Sequence, residues 1–247
     1  MSNHFSSFSI ALRSILFHLC VALITPPYAV FACLLFPLPH HVRYQLITGW
    51  TRLIIFLARS LCGIRFNIKG TEHLPSQPCI LALKHSSAWE TFAAQLIFPP
   101  QVWVLKRELL WIPFFGWGLW QLQPIAINRS SGAKAMRQMI QQASDRIKKG
   151  LWIVVFPEGT RSIPGERIEY KSGAAHLARS LNIPLVPVAH NAGYLWPKND
   201  WKRYPGEITI EIGAPLLPEH FHNAKAHTQC LEEWIESTVN QLGNPRL

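Results

Sequence analysis

The sequence predicts an α/β fold, in which a largely parallel sheet is flanked by helices and preceded by an N-terminal membrane-associated helical segment. From residue 64 onward, short apolar runs of strand type alternate with helical runs, a pattern typical of such folds. Before residue 64, apolar stretches dominate, and 49% of the chain is hydrophobic, which is high for a soluble protein. We therefore predict a membrane-engaging segment at residues 1–63 and one α/β domain at residues 64–247.

The first apolar stretch, Ser14 to Leu35, contains no charged side chain. At about 1.5 Å per residue, a helix of this length would cross roughly 30 Å of hydrocarbon. Pro26 and Pro27 interrupt it, because each removes a backbone donor and disfavours helix just before it. A straight span and two half-helices dipping into one leaflet both remain open. A cleaved signal peptide is a third alternative, although no convincing cleavage site follows.

The next stretch, Tyr44 to Ile64, is apolar with a helical period. Arg52 and Arg59 lie seven residues apart and therefore on one face. This pattern favours an amphipathic helix in the membrane interface. The alternative is a helix that covers the core of the following domain.

Seven strands and four helices are predicted after residue 63. The strands are Arg65–Lys69, Cys79–Lys84, Val102–Leu105, Pro124–Asn128, Leu151–Phe156, Leu185–His190 and Glu207–Ile212. The helices are Ala88–Phe98, Ala133–Lys149, Ser172–Leu181 and Ala224–Leu242. The aromatic stretch between Trp111 and Trp120 is expected to pack in the core, with an acyl groove or the membrane interface as alternatives.

The net charge of +10 indicates a basic surface. Lys and Arg are scattered, and the ten Trp accompany apolar residues, so anionic lipid headgroups are favoured and no nucleic-acid partner is expected. The five cysteines are odd in number and widely spaced, which argues against a disulfide frame or a zinc site. No metal site is predicted.

The first motif follows the strand that ends near Lys84. His85 lies at a strand-to-helix corner, where side chains are exposed at the carboxyl end of a sheet. Glu90, five residues later, could accept a hydrogen bond from the imidazole and orient His85 as a general base. Alternatively, Ser87 and Glu90 form a capping box, in which Glu90 only closes the first helical turn.

The second motif is FPEGTRS, Phe156 to Ser162, which follows an apolar strand. Two further blocks accompany it: KRELLWIPFFG at Lys106–Gly116, with Asn128 and Arg129 beyond it, and IPLVPV at Ile183–Val188. Together with the His85 motif, these blocks resemble the 1-acyl-sn-glycerol-3-phosphate acyltransferase family over residues 64–212. One position departs from the family pattern, because the family usually has Asp where this chain has Glu90.

The resemblance implies transfer of an acyl group from a thioester to the sn-2 hydroxyl of 1-acyl-sn-glycerol-3-phosphate, giving phosphatidic acid in phospholipid biosynthesis. It implies that the catalytic residues are His85 and Glu90, and that the substrate-binding residues are Lys106, Arg129, Glu158, Gly159, Thr160 and Arg161. Arg161 would bind the acceptor phosphate, unless it forms a salt bridge with Glu158 within the loop. Backbone N–H groups of residues 158–162 are candidates for stabilising the oxyanion.

The implied partners are the lipid bilayer, a lysophospholipid acceptor, and acyl-CoA or acyl carrier protein as donor substrate, with no separate cofactor. The implied location is the cytoplasmic side of a bacterial-type inner membrane. Two alternatives remain: an acyltransferase acting on a different lysolipid, and a catalytically silent lipid-binding protein.

Overall fold

A seven-stranded sheet forms the centre of the molecule, with strand order β1-β7-β6-β2-β5-β3-β4. A computed structural model describes residues 6–113, 115–128 and 132–246. The strands are β1 (Ile64–Lys69), β2 (Ile80–Leu83), β3 (Gln101–Lys106), β4 (Ile125–Ile127), β5 (Trp152–Val155), β6 (Leu185–His190) and β7 (Gly206–Ile212). Neighbouring strands are parallel except for β6 and β7, which pair antiparallel. The prediction of a largely parallel sheet is confirmed.

Eight α-helices surround the sheet in the described part of the chain. They are α1 (Ser7–Leu34), α2 (His40–Cys62), α3 (Trp89–Ile97), α4 (Phe115–Gln121), α5 (Gly132–Lys148), α6 (Gly173–Leu181), α7 (Ala192–Leu195) and α8 (Ala224–Leu242). Each strand and helix predicted after residue 63 is present, and most begin and end within one or two residues of the predicted bounds. The prediction missed α4 and α7, which are too short to show a hydrophobic period.

Side chains of β2 alternate between the two faces of the sheet. Leu81 and Leu83 belong to one buried cluster, which also contains residues of α1, α2 and α3. Ile80 and Ala82 belong to the other cluster, with residues of α5, α6 and α8. Because both faces are covered, β2 is apolar at every position, as expected for a central strand of a parallel sheet.

The N-terminal stretch forms one continuous helix, α1, which runs through Pro26 and Pro27. The alternative of two half-helices is therefore not what the structure shows. Pro26 and Pro27 lack the N–H groups that would bond the carbonyls of residues 22 and 23, yet the helix continues past them. By length and composition, α1 is the single helix among the described residues that could cross a membrane.

Helix α2 covers the core of the following domain, which is one of the two alternatives that the sequence left open. A stripe of residues that includes Ile54, Ala58 and Cys62 is buried against the sheet. Arg52 and Arg59 lie on the exposed side. The helix therefore covers the core with one face and presents a basic face to its surroundings.

The aromatic stretch near α4 differs from the prediction. Trp111, Trp117 and Trp120 are 68%, 51% and 55% exposed, so the expectation of core packing is wrong for these three. These tryptophans are exposed because α4 packs beside α1, a helix whose own outer side is exposed. Gln121 Nε2 donates to the Ala32 carbonyl at 2.6 Å.

Candidate active site

Three adjacent strands deliver the predicted motifs to one edge of the sheet. His85 follows β2, residues 156–162 follow β5, and Lys106 ends β3. In the sheet, β5 lies between β2 and β3 and is parallel to both. The carboxyl ends of parallel strands meet at one edge, which explains why motifs far apart in sequence come together.

His85 and Glu90 form a direct contact. His85 Nδ1 lies 2.8 Å from Glu90 Oε1, and the Glu90 side chain is 2% exposed while that of His85 is 17% exposed. A buried carboxylate at this distance favours the tautomer in which Nδ1 carries the proton. Nε2 is then the basic nitrogen, and it has no hydrogen-bond partner within the described ranges.

The same oxygen of Glu90 also caps α3. Oε1 accepts a hydrogen bond from the Ser87 backbone N–H at 3.1 Å, and Ser87 Oγ accepts one from the Trp89 N–H at 3.0 Å. The Glu90 half of the predicted capping box and the His–Glu pair are therefore present together, although α3 begins at Trp89 and Ser87 Oγ accepts from the Trp89 N–H rather than from the Glu90 N–H.

The imidazole is held on its face as well as at its edge. The rings of His85 and Phe156 stack with centroids 3.8 Å apart and planes 13° apart. The carbonyl of His85 accepts hydrogen bonds from Ser162 through its backbone N–H at 2.8 Å and its hydroxyl at 3.2 Å. The two motifs therefore fix each other's conformation.

A buried ion network lies behind this contact. Lys84 Nζ lies 3.3 Å from Glu158 Oε1 and 2.6 Å from Glu236 Oε1 of α8. Glu158 Oε1 also accepts the His85 backbone N–H at 3.0 Å, and the Tyr170 hydroxyl donates to Glu236 at 2.8 Å. Burial raises the pKa of Glu158, and the charge of Lys84 opposes this shift.

These contacts change the interpretation of Glu158. Its side chain has 0% exposure and faces Lys84, so it is a positioning residue for the backbone at His85 rather than a group that touches substrate. The sequence suggested neither Lys84 nor Glu236 for this role. Lys84 could have been predicted as a site residue, because it is a lysine at the end of an apolar strand. Nothing in the sequence connects Lys84 to Glu236, which is 152 positions away.

The loop after β5 turns sharply at Gly159, whose φ is +70°, a value that favours glycine. The Gly159 N–H donates to the Phe156 carbonyl, and the Ser162 N–H donates to the His85 carbonyl. The N–H groups of Thr160 and Arg161 have no hydrogen-bond partner in the portion of the chain that the structure describes. They are therefore the candidates within residues 158–162 for the oxyanion contact that the sequence predicted.

A cavity of about 530 Å³ opens beside His85. Apolar side chains of α1, α2, α3, β3 and α4 form most of its wall, and Gly159, Thr160 and Arg161 line it near His85. Lys106 also lines it, so the structure brings Lys106 and Arg161 to the same space. Arg129 lies outside the described residues.

Arg161 does not pair with Glu158, whose cationic partner is Lys84. The structure therefore disagrees with the salt-bridge alternative. The Arg161 carbonyl accepts a hydrogen bond from Lys198 Nζ at 2.6 Å, which fixes the backbone of the loop. Arg161 lines the cavity, and its binding of the acceptor phosphate stays a prediction.

His190 lies next to the pair but has its own partners. Its Nε2 donates to the Lys84 carbonyl at 2.8 Å, and its Nδ1 accepts from the Ala192 N–H at 3.2 Å. Burial lowers the pKa of His190, so the ring is neutral although Glu90 Oε2 lies 3.8 Å away. It is a structural histidine that supports the loop end of β2.

Comparison with known proteins gives consistent matches. Residues 65–191 match the family model described as Acyltransferase. The chain is 39% identical over 237 residues to the 1-acyl-sn-glycerol-3-phosphate acyltransferase of Pseudomonas aeruginosa, covering 94% of this chain and 92% of that protein. It is 34% identical over 171 residues to the human 1-acyl-sn-glycerol-3-phosphate acyltransferase alpha, covering 68% of this chain and 60% of that protein.

A solved structure is similar along nearly the whole chain. The crystal structure of the 1-acyl-sn-glycerophosphate acyltransferase from Thermotoga maritima superposes with a TM-score of 0.75 at 22% identity, covering 94% of this chain and 97% of the other. This likeness confirms the predicted fold class.

Proposed function

Because this chain belongs to the acyltransferase family that contains the 1-acyl-sn-glycerol-3-phosphate acyltransferases, we propose that it acylates the sn-2 hydroxyl of 1-acyl-sn-glycerol-3-phosphate. The product is phosphatidic acid, and the donor is a thioester of CoA or of acyl carrier protein. The chain is an O-acyltransferase, as the resemblance predicted. The observation that supports the proposed reaction most directly is the His85–Glu90 contact of 2.8 Å beside the cavity that Arg161 and Lys106 line.

In the proposed reaction, His85 Nε2 removes the proton from the sn-2 hydroxyl as its oxygen attacks the thioester carbonyl. The N–H groups of Thr160 and Arg161 stabilise the oxyanion of the tetrahedral intermediate. When the intermediate collapses, the C–S bond breaks and the imidazolium returns the proton to the departing thiolate. Glu90 stabilises the imidazolium and keeps the ring in the reactive tautomer. No acyl-enzyme is needed.

The substrates divide the cavity between them. Its apolar wall suits an acyl chain, whereas Lys106 and Arg161 supply positive charge for the phosphate monoester of the acceptor. Holding both substrates at His85 removes much of the entropic barrier to a bimolecular reaction. Selection of a phosphate-bearing acceptor then depends on these two cations.

We place the enzyme on the cytoplasmic side of a bacterial-type inner membrane, where acyl-CoA and acyl carrier protein are available. Exposed apolar side chains of α1, such as Leu23 at 75% and Leu34 at 72%, support insertion into lipid. The exposed Trp117 and Trp120 of α4 extend the same surface and suit the interfacial zone.

The test is an acyl-transfer assay with the purified full-length chain in detergent. Labelled palmitoyl-CoA and palmitoyl-acyl carrier protein are each offered with lysophosphatidic acid, lysophosphatidylethanolamine or lysophosphatidylcholine. We expect phosphatidic acid to form, with His85→Ala as the inactive control. Preference for a lysolipid without a phosphate monoester would contradict the proposed acceptor, and absence of any transfer would contradict the proposed reaction.

A further inference from the structure

A second, smaller cleft lies next to the active-site cavity. It has a volume of about 200 Å³ and lies between α1 and the loop of residues 196–203; we call it the loop cleft. Its wall includes three cationic side chains, Arg161, Lys198 and Arg203, together with His18 and one acidic residue, Asp200. The proposed reaction assigns no role to this cleft.

The acidic residue is already engaged by its own loop. Asp200 Oδ1 accepts the Lys202 N–H at 2.9 Å, and Oδ2 accepts the Tyr204 hydroxyl at 2.5 Å. It forms no ion pair with a lining cation among the described residues. The charge balance of the loop cleft is therefore positive.

Arg203 is the buried cation of the loop cleft. It is 8% exposed, and its guanidinium lies 4.6 Å from the centroid of the Trp196 ring. Nη1 donates to the carbonyls of Asp200 and Lys202 at 2.9 Å each, whereas Nε is buried without a hydrogen-bond partner. No carboxylate lies within ion-pair distance of it in the described ranges, and burial lowers the pKa of Arg203 to about 10. Asp200 and the two carbonyls offset part of the cost of burying this charge, and a bound anion would offset more of it.

The loop cleft adjoins the active-site cavity. Trp50, Phe92 and Arg161 line both spaces, whereas Lys106 lines the active-site cavity but not the loop cleft. A donor with its acyl chain in the cavity and its thioester at His85 would therefore pass Arg161 as it leaves. Its polar arm would then enter the positively charged cleft.

We propose that the loop cleft binds a phosphate of the phosphopantetheine arm of the acyl donor, with Lys198 and Arg203 as the binding cations. The inference rests on the proposed function, because it requires a thioester donor. Phosphopantetheine is common to acyl-CoA and acyl carrier protein, so the loop cleft serves either donor. The acceptor phosphate remains at Lys106 and Arg161.

The test compares donors with and without phosphate. Michaelis constants are measured for two phosphate-bearing donors, palmitoyl-CoA and palmitoyl-acyl carrier protein, and for one donor without phosphate, S-palmitoyl-pantetheine. The Michaelis constant of the acceptor, lysophosphatidic acid, is measured as well. The main variant is Lys198→Gln, since Lys198 is exposed and its replacement spares the core. Lys202→Gln is the matched control, because Lys202 belongs to the same loop but does not line the cleft. Lys198→Arg restores the charge.

We expect Lys198→Gln to raise KM for the phosphate-bearing donors by about tenfold, the scale of one charge-assisted hydrogen bond. KM for S-palmitoyl-pantetheine and for lysophosphatidic acid should rise only by the smaller, shared amount that loss of the hydrogen bond from Lys198 to the Arg161 carbonyl causes. Lys202→Gln should behave as the wild type, and Lys198→Arg should recover most of the loss. An effect on both phosphate-bearing donors would support the phosphopantetheine phosphate as the bound group. An effect on palmitoyl-CoA alone would overturn this assignment, because it would identify the nucleotide phosphates instead.

Two further results would overturn the inference. An equal rise in KM for S-palmitoyl-pantetheine would show that Lys198 acts only through its hydrogen bond to the Arg161 loop. A rise in KM for lysophosphatidic acid as large as that for the phosphate-bearing donors, with a smaller rise for S-palmitoyl-pantetheine, would assign the loop cleft to the acceptor. Arg203→Lys is a second variant that keeps the buried charge but removes the planar donors, and unchanged donor constants in both variants would also refute the assignment. Failure of the wild-type chain to transfer any acyl group would instead count against the proposed function.

Discussion

At the scale of single residues, one oxygen of Glu90 accepts hydrogen bonds from two groups that belong to different tasks. The Ser87 N–H can donate to a neutral or a negatively charged oxygen, whereas the His85 imidazolium is stabilised only by a negatively charged one. The two tasks can therefore be separated by removing the charge while keeping the shape.

Glu90→Gln makes that separation. The amide oxygen can still cap α3, so the free energy of unfolding should fall by less than about 1 kcal/mol. Turnover should fall by roughly 10³- to 10⁴-fold, the scale seen when the acid of a serine-protease triad is amidated, because the amide does not stabilise the imidazolium. Denaturant unfolding and steady-state kinetics measure the two effects.

Two further variants serve as controls for Glu90. His85→Ala should be inactive but folded, and Glu90→Asp should keep far more activity than Glu90→Gln because it restores the acid that the family usually has. Near-normal turnover of Glu90→Gln alongside an inactive His85→Ala would reduce Glu90 to a helix cap.

Arg161→Lys tests the acceptor site. The charge stays, but the planar fork that can contact two phosphate oxygens is lost. We expect KM for lysophosphatidic acid to rise about tenfold or more, with a smaller rise for the acyl donor. An unchanged acceptor constant would argue against a direct contact between this guanidinium and the phosphate.

The positions of these residues were partly predictable. Residues within one motif, such as His85 and Glu90, are separated by too few positions to lie far apart, and the strand ends indicated that Lys106 would lie near residues 156–162. The orientation of the Glu158 side chain was not predictable. It depends on Lys84 and on Glu236, and the second of these reaches the site from a helix at the other end of the chain.

At the scale of elements, this ion network joins the end of β2, the loop after β5 and helix α8. Lys84→Met would leave the buried Glu158 without its cation. We expect the free energy of unfolding at neutral pH to fall by about 3–5 kcal/mol, the range for breaking a buried pair. Thermal or denaturant unfolding of the wild type and the variant measures the difference.

The loss of stability in Lys84→Met should depend on pH and should grow as the pH rises. Burial already raises the pKa of Glu158 in the folded protein, and removal of Lys84 removes the main opposing charge. A carboxyl with a raised folded-state pKa stabilises the fold below its unfolded-state pKa, and this contribution is lost as the pH rises through the folded-state value. The variant should therefore approach wild-type stability in mild acid and diverge toward neutral pH. A constant difference from about pH 5 to about pH 8 would contradict this account.

Helix α1 is the element that we expect to enter lipid. Leu19 and Leu23 are 55% and 75% exposed, and a lysine at the centre of a membrane helix costs about 2.5–3.5 kcal/mol. The double change Leu19→Lys and Leu23→Lys should release the protein from vesicles in a flotation assay. High salt alone should release little, because apolar burial is not screened.

Ile163→Lys is the matched control, since Ile163 is exposed but lies on the loop after β5. It should leave flotation unchanged. If both changes released the protein from vesicles equally, vesicle binding would depend on the net charge or the total exposed apolar surface of the protein rather than on α1. The sequence predicted this element by composition, but it left open whether the helix would continue through Pro26 and Pro27.

At the scale of the whole molecule, the N-terminal segment and the α/β domain are not independent in their packing. Phe17 of α1 and Ile54 of α2 are buried in the same cluster as the sheet residues Leu81 and Val154. The sequence suggested a division at residue 63 from the change in pattern there. It could not show that the two parts would share a core, because this sharing depends on tertiary packing.

Removal of residues 1–63 should therefore affect more than attachment. Helices α1 and α2 supply part of the cavity wall, so a chain of residues 64–247 should expose apolar core and lose activity even toward short-chain, water-soluble substrates. Size-exclusion chromatography and acyl-transfer assays measure these losses. A soluble fragment as active as the full chain on bilayer lysolipid would contradict the prediction.

The position of the cavity against α1 and α4, whose outer sides expose leucine and tryptophan, has a kinetic consequence. A lysolipid that diffuses within the leaflet can reach such a cavity without first dissolving in water. The quantity that governs its encounter with the enzyme is then its mole fraction in the surface, not its bulk molarity. Diluting the lysolipid with an inert detergent at constant total amount should slow the reaction, whereas adding more mixed micelles of fixed composition should leave the rate nearly constant once all enzyme is bound.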